Sequence, residues 1–227
     1  MNAYMREIQN KYNGCDLCGL CDTRRNILFG SGSPNAKVLI IKDMPTNLED
    51  KHNTFFTDDM NFVLKVFKDV VLSKRGKFTD KEAREIFSVE AYVVSAVACR
   101  GEIQAGDNAG NTREPKLSEI KACRDRVLST VYAIDPNIVV ACGKSAAISI
   151  LKRNKDFPSK AGTLDSIFTI DVGGRVVDKV RYSAIYTHDI KTVEKVGDYD
   201  DPNGFVSQFC SAIESAWIIS DALEREK

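Results

Sequence analysis

Residues 135–151 read DPNIVVACGKSAAISIL, and this stretch decides the fold class. The four apolar residues 138–141 follow a proline and are too few for a helix, so they predict a buried strand. Residues 144–151 then have the apolar spacing of a short helix. A buried strand that runs directly into a helix is typical of a mainly parallel sheet covered by helices.

The same pattern recurs towards the beginning of the chain. Two short apolar runs, VLII at residues 38–41 and YVV at residues 92–94, predict two more buried strands. Between them, apolar residues at helical spacing predict a helix over residues 60–71 with Thr57 as its N-cap. Strands that alternate with helices in this way indicate βαβ units.

Thr79 and Glu82 have the spacing of a capping box and predict another helix start. The remaining predicted elements are a helix over 118–134, a helix over 204–223 with Phe205, Phe209, Ile213 and Trp217 on one apolar stripe, a last strand over 181–186, and a hairpin of 167–170 with 176–177 around Gly173 and Gly174. The glycine-rich segment 101–112 is expected to be an exposed, flexible loop. We therefore predict one three-layer α/β/α domain over residues 1–227, with a mainly parallel central sheet.

Composition limits the classes of function. The chain has 227 residues, with Lys plus Arg and Asp plus Glu both 32, so no global field attracts nucleic acid or acidic membranes. Any contact with a polyanion must come from a local patch. No apolar run approaches the roughly 18 residues of a membrane span, and the N-terminal segment lacks a signal-peptide core. We expect a soluble, cytoplasmic protein without a membrane partner.

Seven cysteines in a reducing compartment favour a metal site or buried thiols over disulfides. Cys15 and Cys18 are separated by two residues, a spacing that places two thiolates on one metal centre, and Cys21 extends the series without a fourth ligand nearby. Cys99, after a predicted strand, and Cys123, in a predicted helix, are the best candidates for the missing ligands. Spacing alone leaves an iron–sulfur cluster, zinc with other partners, and ordinary core thiols open. Two cysteines lie within apolar patterns and are expected in the core: Cys142 and Cys210.

Several further motifs follow the cysteine pair in a fixed order. They are RRNILFGSG at 24–32, AKVLII at 36–41, KDMPT at 42–46, FFTDD at 55–59, SAVACR at 95–100, NTREP at 111–115 and YTHD at 186–189. Together with the cysteines, this order resembles the uracil-DNA glycosylase superfamily and, within it, the family 4 iron–sulfur enzymes, from about residue 15 to residue 191. The resemblance implies a uracil-DNA glycosylase-like fold, a 4Fe-4S cluster on Cys15, Cys18, Cys99 and Cys123 (with zinc as the alternative), and DNA as the partner. The departures of this chain from the family motifs resemble those of viral members of the superfamily. For a viral protein, the expected location is the host cytoplasm.

The catalytic motifs depart from the family more than the cluster motifs do. Residues 42–46 stand where the family has Gly-Glu-Ala-Pro-Gly, Ser95 replaces an asparagine, and Asp189 replaces the proline after His188. A serine hydroxyl lacks the paired donor and acceptor with which an amide reads a base edge. The base that the pocket reads is therefore open.

The resemblance implies that His188 stabilises the leaving base and that Asp43 orients or activates water. Asp43 also follows a predicted strand, where open α/β sheets place their sites. The structural alternatives are a surface loop residue for His188 and a helix cap or solvated charge for Asp43.

The implied base-binding residues are Phe56, as a stacking platform, Ser95, Met44 and Pro45. Phe56 could equally be a core residue. For DNA contact the candidates are Ser31, Gly32, Lys144 and Lys191, within a basic rim that also includes Arg24, Arg25, Arg100, Arg113 and Lys160.

Three functions remain open from the sequence. The first is a DNA glycosylase that excises uracil or a related base by hydrolysis of the N-glycosidic bond. The second is a catalytically inactive iron–sulfur module that binds DNA or replication or repair proteins, which the departures at Lys42, Thr46, Ser95 and Asp189 favour. The third is an electron carrier that uses Cys21, which the missing compact fourth ligand argues against.

Overall fold

The structure is a computed structural model that describes residues 3–151, 164–170 and 180–225. Its described helices are α1 Ala3–Tyr12, α2 Asn47–His52, α3 Asn61–Val70, α4 Asp80–Glu90, α5 Leu117–Ile134, α6 Lys144–Ile150, α7 Ile190–Val196 and α8 Phe205–Arg225. Its described strands are β1 Ser31–Gly32, β2 Val38–Lys42, β3 Ala91–Ser95, β4 Ile138–Cys142, β5 Leu164–Ile170 and β6 Val180–Thr187. None of the described helices is long and apolar enough to cross a membrane.

These strands form one sheet in the order β1-β3-β2-β4-β6-β5. The four central strands β3, β2, β4 and β6 are parallel, whereas β1 and β5 pair antiparallel at the two edges. Strands β2, β3 and β4 are buried at every residue, which explains why they read as continuous apolar runs. The predicted α/β/α class with a mainly parallel sheet is confirmed.

Helices cover both faces of the sheet. One face packs against α3, α4 and α8, with Phe67, Phe87 and Trp217 in ring contact. The indole of Trp217 also donates to Glu90 Oε2 at 2.6 Å. The other face packs against α1, α5 and α6. Phe205 departs from the predicted stripe of α8, because 37% of its surface is exposed.

Two helix N-caps were predicted from the sequence, and the structure confirms one of them. Thr79 and Glu82 form the predicted capping box of α4. Thr57 instead precedes a 3-10 turn, Asp58–Met60, and its buried hydroxyl makes no hydrogen bond within the described residues, so the predicted cap of α3 was wrong. Asp135 ends α5 in the left-handed conformation, directly before the proline.

The predicted hairpin of 167–170 with 176–177 is not tested, because residues 171–179 lie outside the described residues. Strand β5 instead pairs antiparallel with β6, the strand predicted over 181–186. The glycine-rich segment 101–112 is largely exposed, as predicted. A bridge between Glu102 and Thr112 closes it. Arg100 secures it further by donating to Thr112 Oγ1 at 3.0 Å and to the carbonyl of Gly110.

Candidate functional site

A cavity of about 250 Å³ lies beyond the carboxyl ends of β2, β4 and β6. This is the edge at which parallel α/β sheets place their ligands. The lining residues are Lys42, Asp43, Met44, Thr46, Thr112, Arg113, Glu114, Pro115, Cys142, Asp189, Ile190, Lys191, Thr192 and Glu194. The volume is below the roughly 300–1,000 Å³ of pockets for drug-sized ligands, so it suits one small ring system.

Asp43 is the central acid of this cavity. The hydroxyl of Ser145 and the backbone amide of Ala146, both in the first turn of α6, donate to its carboxyl group. Its Oδ1 atom is buried and has no hydrogen-bond partner in the described part of the chain. Burial, and then the nearby charge of Asp189, raises the pKa of Asp43 from 3.8 to about 6.

Gly143 makes the close approach of these two acids feasible. Its φ of +98° is a conformation that residues with a Cβ rarely adopt. A Cβ at this position would also lie 2.8 Å from Asp189 Cβ and 3.0 Å from Asp43 Oδ1. The carboxyl group of Asp189 in turn caps α7, because its Oδ1 accepts from Thr192 N at 2.9 Å.

Lys42 is the last residue of β2 and forms a buried ion pair beside Asp43. Its Nζ lies 2.6 Å and 2.7 Å from the two carboxylate oxygens of Glu49, and the side chains are 9% and 0% exposed. The ammonium also lies 5.6 Å from the ring centroid of Phe55, a fully buried residue. Glu49 Oε2 closes the capping box of α2 by accepting from Thr46 N at 2.8 Å.

His188 follows β6 but is not among the residues that line the cavity. Its Nε2 lies 2.9 Å from Gln208 Oε1, and its ring stacks on Phe205 with 4.1 Å between centroids. Both partners belong to α8. In this arrangement both contacts of the imidazole are with α8.

The four candidate cysteines of the metal site gather at one place, between the N-terminal segment and the start of α5. Cys18 lies close enough to Cys15 and Cys123 to interact with them electrostatically, and Cys99 lies equally within the electrostatic range of Cys123 and Cys18. Burial, and then Cys123, raises the pKa of Cys99 to about 12. Within the described residues, no three Cys, His, Asp or Glu side chains converge on a point that could hold a single metal ion.

Arginine side chains border this cysteine group. Arg24 donates to the backbone oxygen of Cys15 and also bonds the thiol of Cys99. Arg113 lies between the cysteines and the cavity: it lines the cavity, and it makes a two-point ion pair with Glu119 at 2.6 Å and 2.9 Å. The carboxylate of Glu119 is also close enough to Cys18 to contribute to the raised pKa of that thiol. The cavity and the cysteine group are therefore neighbours.

A sequence model of the family described as "Uracil DNA glycosylase superfamily" matches residues 29–192, which is more than half of the chain. The chain belongs to the uracil DNA glycosylase superfamily. The matched range contains every residue that lines the cavity except Glu194, and two of the four candidate cysteines, Cys99 and Cys123.

Curated relatives named "Type-4 uracil-DNA glycosylase" are similar to this superfamily member at low identity. The relative from Sulfurisphaera tokodaii is 24% identical over 159 residues, which cover 68% of this chain and 62% of the relative. The relative from Archaeoglobus fulgidus is 22% identical over 188 residues, with 82% and 80% covered. The relative from Thermotoga maritima is 24% identical over 142 residues, with 63% of each chain covered. The chain thus spans about three fifths of two of these relatives and four fifths of the third.

The predicted base-binding residues are only partly brought together in this superfamily member. Met44 lines the cavity, and Pro45 is buried beside it. Ser95 is fully buried and donates its hydroxyl to the carbonyl of Val97 at 2.7 Å. Phe56 packs edge-on against Phe87, with 6.2 Å between centroids, and neither Ser95 nor Phe56 lines the cavity.

The predicted DNA-contact residues lie at two places. Lys144 and Lys191 are exposed, and Lys191 lines the cavity. Ser31 instead accepts from Phe55 N at 2.9 Å through its hydroxyl. Gly32 packs on β3 so closely that a Cβ would meet the carbonyl oxygen of Ala91.

The predicted basic rim is mostly engaged within the protein. Arg24, Arg100 and Arg113 all bind backbone oxygens or acids, as described above. Arg25 is exposed, and Lys160 lies outside the described residues. Two exposed cations near the cavity are Lys144 and Lys191.

Sequence reasoning missed Glu49 and treated Lys42 only as a departure from the family. One signal was available, because Thr46 and Glu49 have capping-box spacing and thereby place Glu49 in the first turn of a helix directly after β2. That helix brings the carboxylate back to Lys42, seven residues earlier.

Proposed function

We propose that this superfamily member is a DNA glycosylase that excises uracil or a related base by hydrolysis of the N-glycosidic bond. The observation that carries the proposal is Asp43: a partly buried residue whose buried Oδ1 atom has no hydrogen-bond partner among the described residues, in a cavity of about 250 Å³ at the carboxyl edge of the sheet. A base that is rotated out of the DNA stack requires a pocket of this size. The names of the relatives, type-4 uracil-DNA glycosylases, support the same reaction class.

In the proposed reaction, Asp43 acts as the ionised carboxylate. It would hold and activate a water molecule that attacks C1′ of the sugar as the bond to the base breaks. The raised pKa of about 6 suits this role, because the group is ionised at neutral pH yet is a stronger base than an exposed aspartate. The donors from Ser145 and Ala146 fix the orientation of the carboxyl group.

His188 is proposed, as the resemblance implies, to donate a hydrogen bond to the leaving base. For that role its ring must leave Gln208 and Phe205 when DNA binds. Both contacts lie at the partly exposed surface of α8, where they can be exchanged at modest cost.

We propose that Cys15, Cys18, Cys99 and Cys123 hold a 4Fe-4S cluster. The proposal is supported by the proximity of the four cysteines, because Cys18 lies near Cys15 and Cys123 and Cys99 lies near Cys18 and Cys123, and four thiolates are the usual ligand set of such a cluster. When bound, such a cluster would tie the N-terminal segment to the loop after β3 and to α5. Free cysteines throughout the chain also fit a reducing, intracellular compartment.

DNA is the proposed partner, with Lys144 and Lys191 as phosphate contacts beside the cavity. Each is exposed, and both lie after strands that end at the site. We also propose that the chain forms a single domain. One hydrophobic core lies on each face of the sheet, and one of these two cores includes the buried residues of the N-terminal helix.

A second candidate is an inactive iron–sulfur module that binds DNA or replication or repair proteins. The position of Phe56, Ser95 and His188 outside the cavity favours it. Release of free base separates the two candidates. A purified, cluster-containing protein is incubated with an oligonucleotide that carries one uracil, and the free base is quantified. Release that depends on Asp43 supports the glycosylase, whereas DNA binding without release supports the inactive module.

A further inference from the structure

We infer that Lys42 is a catalytic residue whose ammonium donates a hydrogen bond to a carbonyl oxygen of the departing base. This inference rests on the proposed glycosylase function and names a residue for it. Lys42 is adjacent to Asp43 in the chain, and both line the same cavity. Lys42 would therefore act on the base, and Asp43, through its water molecule, would act on the sugar at the other end of the same bond.

The ammonium of Lys42 is held in place before any substrate arrives. Within the described residues its ammonium donates two hydrogen bonds, both to Glu49, at 2.6 Å and 2.7 Å, and the fully buried carboxylate balances its charge. Glu49 is itself fixed by Thr46 N in the first turn of α2. An ammonium has three N–H groups, and no third acceptor lies among the residues that the structure describes, so one remains for a ligand.

A fixed, charged donor in a nearly dry site is suited to a developing anion. When the bond from C1′ to the base breaks, its electron pair moves onto the base and spreads to the carbonyl oxygens. A hydrogen bond from an ammonium at 9% exposure stabilises that charge far more than it would in water. No proton has to be transferred from Lys42. The attacking water adds to C1′ and gives its proton to Asp43, and solvent protonates the released base.

The neighbouring ring gives the same side chain a second fixed contact. The ammonium lies 5.6 Å from the centroid of Phe55, whose ring is completely buried. Because this ring is buried and does not line the cavity, a base in the cavity could contact the ammonium of Lys42 but could not stack on the ring. The structural alternative is that the pair of Lys42 with Glu49 only secures α2 against β2.

The test uses two leaving groups of different basicity in one oligonucleotide sequence, uracil and 5-fluorouracil. The variant is Lys42→Met combined with Glu49→Gln, because Lys42→Met alone would leave a buried carboxylate unpaired. The glutamine can still accept from Thr46 N. The control is Lys51→Met, which removes an exposed lysine from α2. Circular dichroism melting checks the fold of each variant.

We expect single-turnover release of uracil to fall by about 10²-fold in the double variant. Release of 5-fluorouracil, whose anion needs less stabilisation, should fall by no more than about tenfold, and Lys51→Met should change neither rate. Equal losses for both bases, or no loss, would overturn the role of Lys42 while the glycosylase function stands. No release by the wild-type protein would overturn both. If the double variant does not fold, Lys42→Arg replaces it: a loss that is larger for uracil than for 5-fluorouracil supports the inference, and an equal loss for both bases, or no loss, overturns it.

Discussion

Asp43 and Asp189 both lie against Gly143, and the charge of Asp189 adds to burial in raising the pKa of Asp43 to about 6. Asp43 and Asp189 are 146 positions apart in the chain and come just after β2 and β6, which are separated in the sheet by only one strand, β4. Asp189 is engaged as the cap of α7. Asp43 retains a buried oxygen without a partner, so the pair is asymmetric.

The rate of base release should follow the ionisation of Asp43. Because the carboxylate is the active form, the rate should be constant above about pH 7 and fall about tenfold per pH unit below the pKa of about 6. Single-turnover release across pH 4.5–8 measures this profile. A midpoint near 4, the value of an exposed aspartate, would contradict the raised pKa.

The same pKa predicts how Asp43 affects stability. The folded state binds this proton more tightly than the unfolded chain, so the carboxyl group destabilises the fold as pH rises from about 4 to about 6 and beyond. Asp43→Asn removes the penalty. Relative to wild type, we expect the variant to gain about 2–3 kcal/mol of unfolding free energy between pH 4 and pH 7.5. Urea titrations at the two pH values measure it, and a difference that is independent of pH would argue against a buried, ionised Asp43.

The cysteine group should bind iron through four particular thiols. Cys123→Ser should lose most of the bound iron and the broad absorption at roughly 400 nm, because one corner of the cluster would lack its thiolate. Cys142→Ser is the matched control, since Cys142 is buried in β4 and lies outside the cysteine group. Elemental analysis and the visible spectrum are the measurements. Zinc in the wild-type protein, without that absorption, would contradict the cluster.

The role of His188 depends on its release from α8. His188→Ala should lower the single-turnover release of uracil by about 10²-fold, as expected when a donor to the leaving base is removed. Gln208→Ala, which removes the partner at 2.9 Å, should not lower this rate. If the two variants behave alike, His188 serves only the packing against α8.

The aromatic contacts between α3, α4 and α8 predict where the fold is most sensitive. Trp217 is 1% exposed, and Trp217→Ala should cost about 3–5 kcal/mol of unfolding free energy, because it leaves a cavity beside Phe67 and Phe87. The neighbouring Ile218 is 56% exposed, and Ile218→Ala should change stability by less than about 0.5 kcal/mol. Urea unfolding of both variants checks the difference.

The sheet could be predicted from the sequence because its strands are buried on both faces and so appear as uninterrupted apolar runs. The short helices α2 and α7 were not predicted, because their sequences are mostly polar, whereas the equally short α6 is mostly apolar and follows β4 directly. Asp43 was predictable from its position after a strand. The partner of His188 was not, because Gln208 lies twenty residues further on and meets it only through the packing of α8.

The pair of Lys42 with Glu49 marks a further limit of the sequence. A lysine within a buried strand reads as a departure from the pattern, and its carboxylate partner is found only once the turn at Thr46 is known. The ion pair changes the interpretation of the pocket, because it places a charged donor next to Asp43.

The most direct test of the account is the release of free base from a uracil-containing oligonucleotide, measured in a single turnover at pH 7.5 for the wild-type protein and for Asp43→Asn. We predict release by the wild type and a loss of about 10²–10⁴-fold in the variant, whose amide cannot accept a proton from water. No release by a folded, iron-containing wild-type protein, or equal release by both proteins, would contradict the proposed function of Asp43 and its cavity.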